Sequence, residues 1–402
     1  MFKNLGVMVG GSIASQLLLL LTIPIITRMF GQQAYGEYGQ FMSLLNIVTP
    51  VAALCLPIAI LIQNNTFSVV KIINVASCLY FITSSFLLFA VLITNLLYPS
   101  LPALFYMLPF SVFLSGLYEI SRQQNIKISK FAKISLAGVL SSFFATVIKV
   151  LSGLFTQNPL FLIVGNILGL FVNINQLGLP IKKINLPSIK LIIHTIKKNK
   201  DITKYRTMQT LLSASAINIP IFIYSSFFST DIIGQYYIAL SLAGLPIVLI
   251  GKSITDVFYP KWLAAIENNE NLSSALVKSC FTILSISIFL YLPIYFISEF
   301  AFKIYLGEGW DLVSDFFNFM LISSIGVIVT RPLVALIPLL QMQKQFFIYE
   351  LISFSVKICT LFLLVNVFTS SVLVVLGYSL MSFLLSLALF YFVSLISSGA
   401  KP

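Results

Sequence analysis

Long apolar runs separated by short polar breaks dominate the chain. Twelve runs are long enough to cross about 30 Å of hydrocarbon as helices. They lie at roughly 5–27, 38–62, 72–97, 102–121, 134–156, 159–180, 208–229, 234–257, 274–298, 313–339, 345–368 and 371–396. None shows the alternation of a lipid-facing strand, so helix is the expected form. The first run follows Lys3 as the core of a signal peptide would. Its apolar stretch is too long for one, and Ser12–Ser15 are followed by more apolar sequence, so it is predicted as an uncleaved span. The pattern predicts an all-α polytopic membrane protein of about 12 transmembrane helices.

The longest polar break, 181–207, divides the chain nearly in half. The expected organisation is a bundle over 1–180, a basic linker over 181–207 and a second bundle over 208–402. Within the linker, Ile189, Ile192, Ile193 and Ile196 recur at helical spacing, while Lys190, Lys197, Lys198 and Lys200 take other faces. Pro187 suits a first helical turn. This predicts an interfacial helix on an anionic inner leaflet. The one histidine, His194, sits in this helix and carries no expected chemistry.

Composition agrees with the pattern. Apolar residues make up 58% of the chain and charged residues 9%, against roughly 25% charged in an average soluble protein. The mean hydropathy is +1.01. These values exclude a cytosolic enzyme, a disordered chain and a disulfide scaffold. Cys55, Cys78, Cys280 and Cys359 lie in apolar runs without CxxC spacing. They read as small buried residues, with no metal site and no cofactor implied.

The net charge of +12 would suggest nucleic acid in a soluble domain. Sorting it by membrane side gives another meaning. With the N-terminus inside, inner loops and tails carry 18 of the 24 Lys and Arg, and outer loops carry only Arg28 and Lys303. That split is a strong positive-inside signal, predicting an inner-membrane protein with both termini cytoplasmic. No nucleic-acid partner is expected.

The halves echo each other. Ile23-Pro24-Ile25 in the first run matches Ile219-Pro220-Ile221 in the seventh, and Gly36-Glu37-Tyr38 matches Gly234-Gln235-Tyr236. This predicts parallel repeats, which place a substrate path at their interface. The segment Ile23–Gly31 with Tyr35-Gly-Glu-Tyr38 resembles the start of the polysaccharide-biosynthesis exporters, which include the Wzx-type O-antigen flippases of the multidrug/oligosaccharidyl-lipid/polysaccharide superfamily. Gly234-Gln-Tyr-Tyr237 and Phe258-Tyr-Pro-Lys-Trp262 resemble the matching region of the second half. The resemblance implies two six-helix bundles around a central cavity, open to one side at a time. It implies as cargo an undecaprenyl-pyrophosphate-linked oligosaccharide, an O-antigen or capsule repeat unit, with other polysaccharide assembly proteins as further partners.

Candidate chemistry rests on ionisable residues inside the runs. Each costs about 2.5–3.5 kcal/mol at mid-helix on the insertion scale, so each needs a cavity, a partner or a function. The cations are Lys149, Lys252, Arg331 and Lys357, and Arg28 joins them if the first span lines a cavity. A positive cavity suits a pyrophosphate, which Arg can grip bidentately. Glu350 and Asp256 are the candidate ion-coupling acids, with Asp315 near the outer start of the tenth run. Gln16, Asn46, Gln209 and Asn218 are candidate partners for sugar hydroxyls or for other helices. Prolines inside the runs predict helix bends, and Gly6-xxx-Gly10 and Gly165-xxx-Gly169 permit close helix approach.

Three functions compete. A lipid-linked oligosaccharide flippase accounts for the repeat, the span number and the in-span cations. A cation-coupled multidrug exporter would favour carboxylates in the spans, where cations outnumber them. A membrane-embedded glycan polymerase or acyltransferase would need a large outer loop with a general base. The longest outer loop, about 299–312, is short and holds no His. A transporter rather than an enzyme is expected. No P-loop is present, so ATP hydrolysis within the chain is not expected.

Overall fold

The computed structural model describes residues 2–97, 102–178, 186–268 and 272–399. For residues 2–9, 248–250, 252, 253, 256 and 395–399 it describes the backbone alone. Lys182 and Lys183 lie outside the described residues. The chain folds as two compact units, Met1–Ile219 and Pro220–Pro402. The division falls within a helix that follows the 181–207 segment.

The first unit begins with α1, Phe2–Ala52, which merges the first expected span with most of the second. The break between them is a single residue, Gly31, at φ 73° and ψ 178°. This left-handed φ is open to glycine without the Cβ penalty that other residues meet. The arms 10–30 and 32–52 are each about 31 Å long at 1.5 Å per residue, the length of one bilayer crossing. The second expected span does not run to residue 62. Leu54 and Cys55 both take φ 51°, and the short α2, Leu56–Ile62, follows with Pro57 in its first turn.

α3 spans Thr66–Leu97, and α4 spans Leu108–Lys127 after a 3-10 turn at Ala103–Met107. The fourth span extends six residues beyond its expected end because the inner break shrinks to a turn with Ser129 at φ 56°. α5, Phe131–Gly153, and α6, Leu160–Leu177, complete the bundle. α5 is central: it packs on both α1 and α6.

Two lysines tie helix ends together. Lys127 Nζ donates to the carbonyls of Ile60, at 2.9 Å, and Gln63 at the C-terminus of α2. Lys133 Nζ and Asn125 Nδ2 both donate to Leu177 O at the end of α6, each at 3.1 Å. The last carbonyls of a helix lack intrahelical donors and carry partial negative charge, so a cation there satisfies both needs.

In the linker, α7 covers Ile189–Lys198. Ser188 caps it, its Oγ accepting from Leu191 N at 3.3 Å. Pro187 therefore precedes the cap rather than occupying the first turn. A π-helical turn, Asp201–Arg206, leads into α8, Thr207–Ser225.

The second unit is built from α9 (Thr230–Glu267), α10 (Leu272–Leu306), α11 (Leu312–Val329), α12 (Arg331–Leu336), α13 (Gln343–Val367) and α14 (Ser371–Gly399). α11 is its centre, packed by α9, α10 and α14. Here the motif residues do structural work. Gln235 Oε1 accepts from Leu312 N at 2.9 Å, capping α11. Tyr236 is buried against Tyr224 and Phe316. Trp262 is fully buried, and its Nε1 donates to Pro332 O at 2.9 Å, inside a cluster with Leu276, Leu333 and Leu389. Both repeated prolines, Pro24 and Pro220, sit inside helices.

The surface is that of a lipid-soluble body. On α3, Phe86, Phe89 and Leu96 are largely exposed, as are Phe289, Phe296 and Phe300 on α10. Water would penalise so much apolar area, whereas hydrocarbon does not. Among the described residues, nine helical stretches are long and apolar enough to cross a membrane, α1 counting as one. Among the described residues each of the twelve predicted runs falls mainly on helix, and the all-α class stands.

Candidate functional site

Within the first unit lies a cavity of about 720 Å³, within the usual range for small-molecule sites. The second arm of α1 contributes Tyr38, Met42 and Asn46. α4 contributes Tyr118 and Glu119, α5 Ser141 and Lys149, and α6 Asn166. Arg206, just before α8, and Thr210, in its first turn, complete the lining.

Lys149 dominates the site. It is 7% exposed, and its Nζ donates to Asn166 Oδ1 at 2.7 Å. Asn166 Nδ2 in turn donates to the Tyr38 hydroxyl at 2.5 Å, and the ammonium lies 5.3 Å from the Tyr38 ring centroid. Asn166 thus uses both ends of its amide to join α1 and α5. Among the described residues no carboxylate pairs with Lys149 within 4 Å. Its charge is met by an amide dipole and a ring face alone, so an anion entering the cavity would find an uncompensated cation.

Helix packing fixes the position of that cation. A Cβ on Gly165 would come within 2.6 Å of Lys149 Cγ and 2.9 Å of Ala145 O. At Gly169 it would lie 3.0 Å from Ser141 Oγ and 3.1 Å from Ala145 Cβ. The Gly165-xxx-Gly169 pair therefore seats α6 directly on α5. At Gly10, by contrast, a Cβ would meet nothing within 4 Å.

Two further charges face the cavity. Glu119 pairs with Arg122 at 3.6 Å and accepts from Gln123 Nε2 at 2.6 Å. Arg206 is exposed and donates to Gln209 Oε1 at 3.1 Å. With Glu119 engaged by Arg122, Lys149 and Arg206 leave the lining positive.

The predicted site residues do not all converge here. Lys149 and Asn46 line the cavity. Arg28 is exposed and does not line it, because it projects from α1 just before the Gly31 break. Arg331 and Lys357 belong to the second unit, each half-buried. Arg331 packs beside Gly251, where a Cβ would lie 3.1 Å from its Nε. Glu350 interacts electrostatically with Lys357 along α13. Lys252 and Asp256 stand one turn apart on α9, and their side chains lie outside the described residues. Asn218 Nδ2 donates to Ala214 O at 2.8 Å on its own helix.

Asn166, Tyr38, Glu119 and Arg206 were not predicted. Asn166 is a polar residue in an apolar run beside the Gly165 packing position, and that was the available signal. Glu119 and Arg206 sit at the ends of runs, where charge is ordinary.

No curated protein matches the chain. Among solved structures, the chain is similar to an inward-facing multidrug resistance MATE family transporter of the MOP superfamily. That match has TM-score 0.69 and 15% identity, covering 96% of this chain and 95% of the other. An outward-facing MATE family transporter of the same superfamily matches at TM-score 0.56 and 12% identity, covering 99% and 96%. A MOP superfamily transporter from Pyrococcus furiosus, described as having a binding pocket of reverse polarity that suggests a different function, matches at TM-score 0.62 and 14% identity. It covers 99% and 95%. The fold is thus the one seen in MOP superfamily transporters. The profile of a family described as polysaccharide biosynthesis protein matches residues 25–315. That segment holds Tyr38, Lys149, Asn166, the second motif region and all of the first but Ile23 and Pro24, and the chain belongs to the polysaccharide biosynthesis protein family.

Proposed function

We propose that this protein is a flippase that moves an undecaprenyl-pyrophosphate-linked oligosaccharide across the bacterial inner membrane by alternating access. The observation that carries the reading is Lys149: a buried ammonium in a large cavity, with no carboxylate within 4 Å among the described residues. A pyrophosphate supplies the missing negative charge, and Arg206 adds a second cation at the exposed side of the same lining. The same charge repels a cationic drug. The polyprenyl tail needs no protein pocket, since it stays in lipid. The 18-to-2 distribution of Lys and Arg supports cytoplasmic termini. α7 then lies on the inner leaflet with Lys190, Lys197 and Lys198 toward anionic headgroups.

The test is genetic and chemical. In a strain lacking this chain and any redundant flippase, undecaprenyl-linked glycan should accumulate on the inner face, and export should return with the intact gene. Unchanged export in that strain would sink the reading.

A further inference from the structure

We infer that a second chamber in the first unit binds a neutral polyhydroxylated group, a sugar ring. The inference rests on the flippase reading, and it assigns a separate subsite for the glycan. The chamber has a volume of about 310 Å³, at the small end of ligand sites. Ser12, Ser15 and Gln16 line it from α1, Ser135 and Ser142 from α5, and Asn173 from α6. It adjoins the Lys149 cavity, since Tyr118, Ser141 and Ser142 line both. Ser142 and Lys149 are seven residues apart on α5, two turns along one face.

Two acceptors in this chamber lack donors. Asn173 is 8% exposed, and its Oδ1 is buried without a hydrogen-bond partner; Gln16 Oε1 is likewise buried and unpartnered. A buried acceptor left unpaired costs about 1–3 kcal/mol, so two around one void call for something that donates. The chamber's one charged side chain, Arg122, is held by Glu119 at 3.6 Å. With that charge compensated, the lining selects a neutral donor over an anion. Sugar hydroxyls both donate and accept, which suits amide oxygens set among serines. The Tyr118 ring offers a flat apolar wall for the carbon face of a pyranose. Gly138 keeps the space open beside Ser15, whose Oγ would lie 3.3 Å from a Cβ there.

The test uses the full chain in nanodiscs, with its four native cysteines replaced. Single reporters Ser135→Cys in the chamber and Met42→Cys in the Lys149 cavity are titrated with a small thiol reagent. The probes are methyl glycosides of glucose, galactose and N-acetylglucosamine, and inorganic pyrophosphate. At least one glycoside should slow labelling of Ser135→Cys about twofold at its dissociation constant, where half the sites are filled. Asn173→Leu should abolish that protection without lowering the melting temperature, because an apolar group replaces an unpaired acceptor. Gln16→Leu is the second variant, and Ser12→Cys the second reporter. The inference is overturned if no glycoside protects either reporter, or if protection survives both leucine substitutions. Pyrophosphate should protect Met42→Cys. Loss of that effect with sugar protection intact strikes the cargo reading alone, and the converse pattern strikes this chamber alone.

Discussion

Replacing Lys149 by methionine keeps an unbranched side chain in the cavity wall and removes its charge. The native ammonium is 7% exposed, bonds Asn166 Oδ1 at 2.7 Å and lies over Tyr38. A hydrogen bond to a charged group contributes about 1.5–3 kcal/mol, and a desolvated cation–π contact about 2 kcal/mol. Against these stands a burial penalty of several kcal/mol for the ion. The terms nearly cancel, so Lys149→Met should shift unfolding by less than about 2 kcal/mol. Ligand binding should respond far more. One unit charge 4 Å from another, at an effective dielectric of 20, contributes about 4 kcal/mol, close to three decades in affinity. The assay is calorimetric titration of a polyprenyl pyrophosphate into the full chain in nanodiscs, with a melting curve for each variant. Lys149→Met should bind about 100- to 1,000-fold more weakly while melting normally. An affinity within threefold of wild type, with an unchanged melt, would refute the assignment.

Substitutions at four other positions probe the packing within the two units. Gly165→Val sets a Cβ 2.9 Å from the Ala145 carbonyl, which cannot swing away, so it should cost about 1–3 kcal/mol in melting experiments and weaken pyrophosphate binding. Gly10→Ala, with open space around it, should do neither. Lys127→Met strips the donor from the carbonyls of Ile60 and Gln63 and should destabilise by about 1–2 kcal/mol, with Lys127→Arg recovering most of the loss. Trp262→Phe leaves Pro332 O without its donor in a fully buried cluster, and should lower stability by about 2–3 kcal/mol without changing pyrophosphate affinity.

Hydrophobic periodicity located the helices because lipid imposes one rule on every crossing: long, apolar and internally hydrogen-bonded. The breaks were harder to read. Gly31 interrupts α1 by a backbone angle, and the Leu54–Cys55 break comes from two residues with no special preference for φ 51°. Hydropathy marks the polar segment 28–37 around Gly31 but not that one residue suffices to break the helix, and the Leu54–Cys55 break lies inside an apolar run and leaves no hydropathy signal. Lys149 was legible because a lone cation in an apolar run is costly enough to demand a reason. Its partners were not, since Tyr38 is 111 residues and Asn166 17 residues away in sequence, and only tertiary packing brings them together. Arg28, by contrast, stands outside the lining of the cavity described. Its position at a run's end is compatible with either side of the helix, and its side chain is exposed.

The lysines at the ends of α2 and α6 have a consequence for biogenesis. If the termini are cytoplasmic as proposed, Lys127 and Lys133 lie on the inner side and resist translocation by charge alone while the chain is inserted. Once the helices assemble, the same two ammonium groups become donors to specific carbonyls. In the proposed topology the same atoms thus serve orientation and stability. Glutamine at either position would weaken the topogenic mark and the cap together, so a defect in orientation and a defect in stability should be inherited as one.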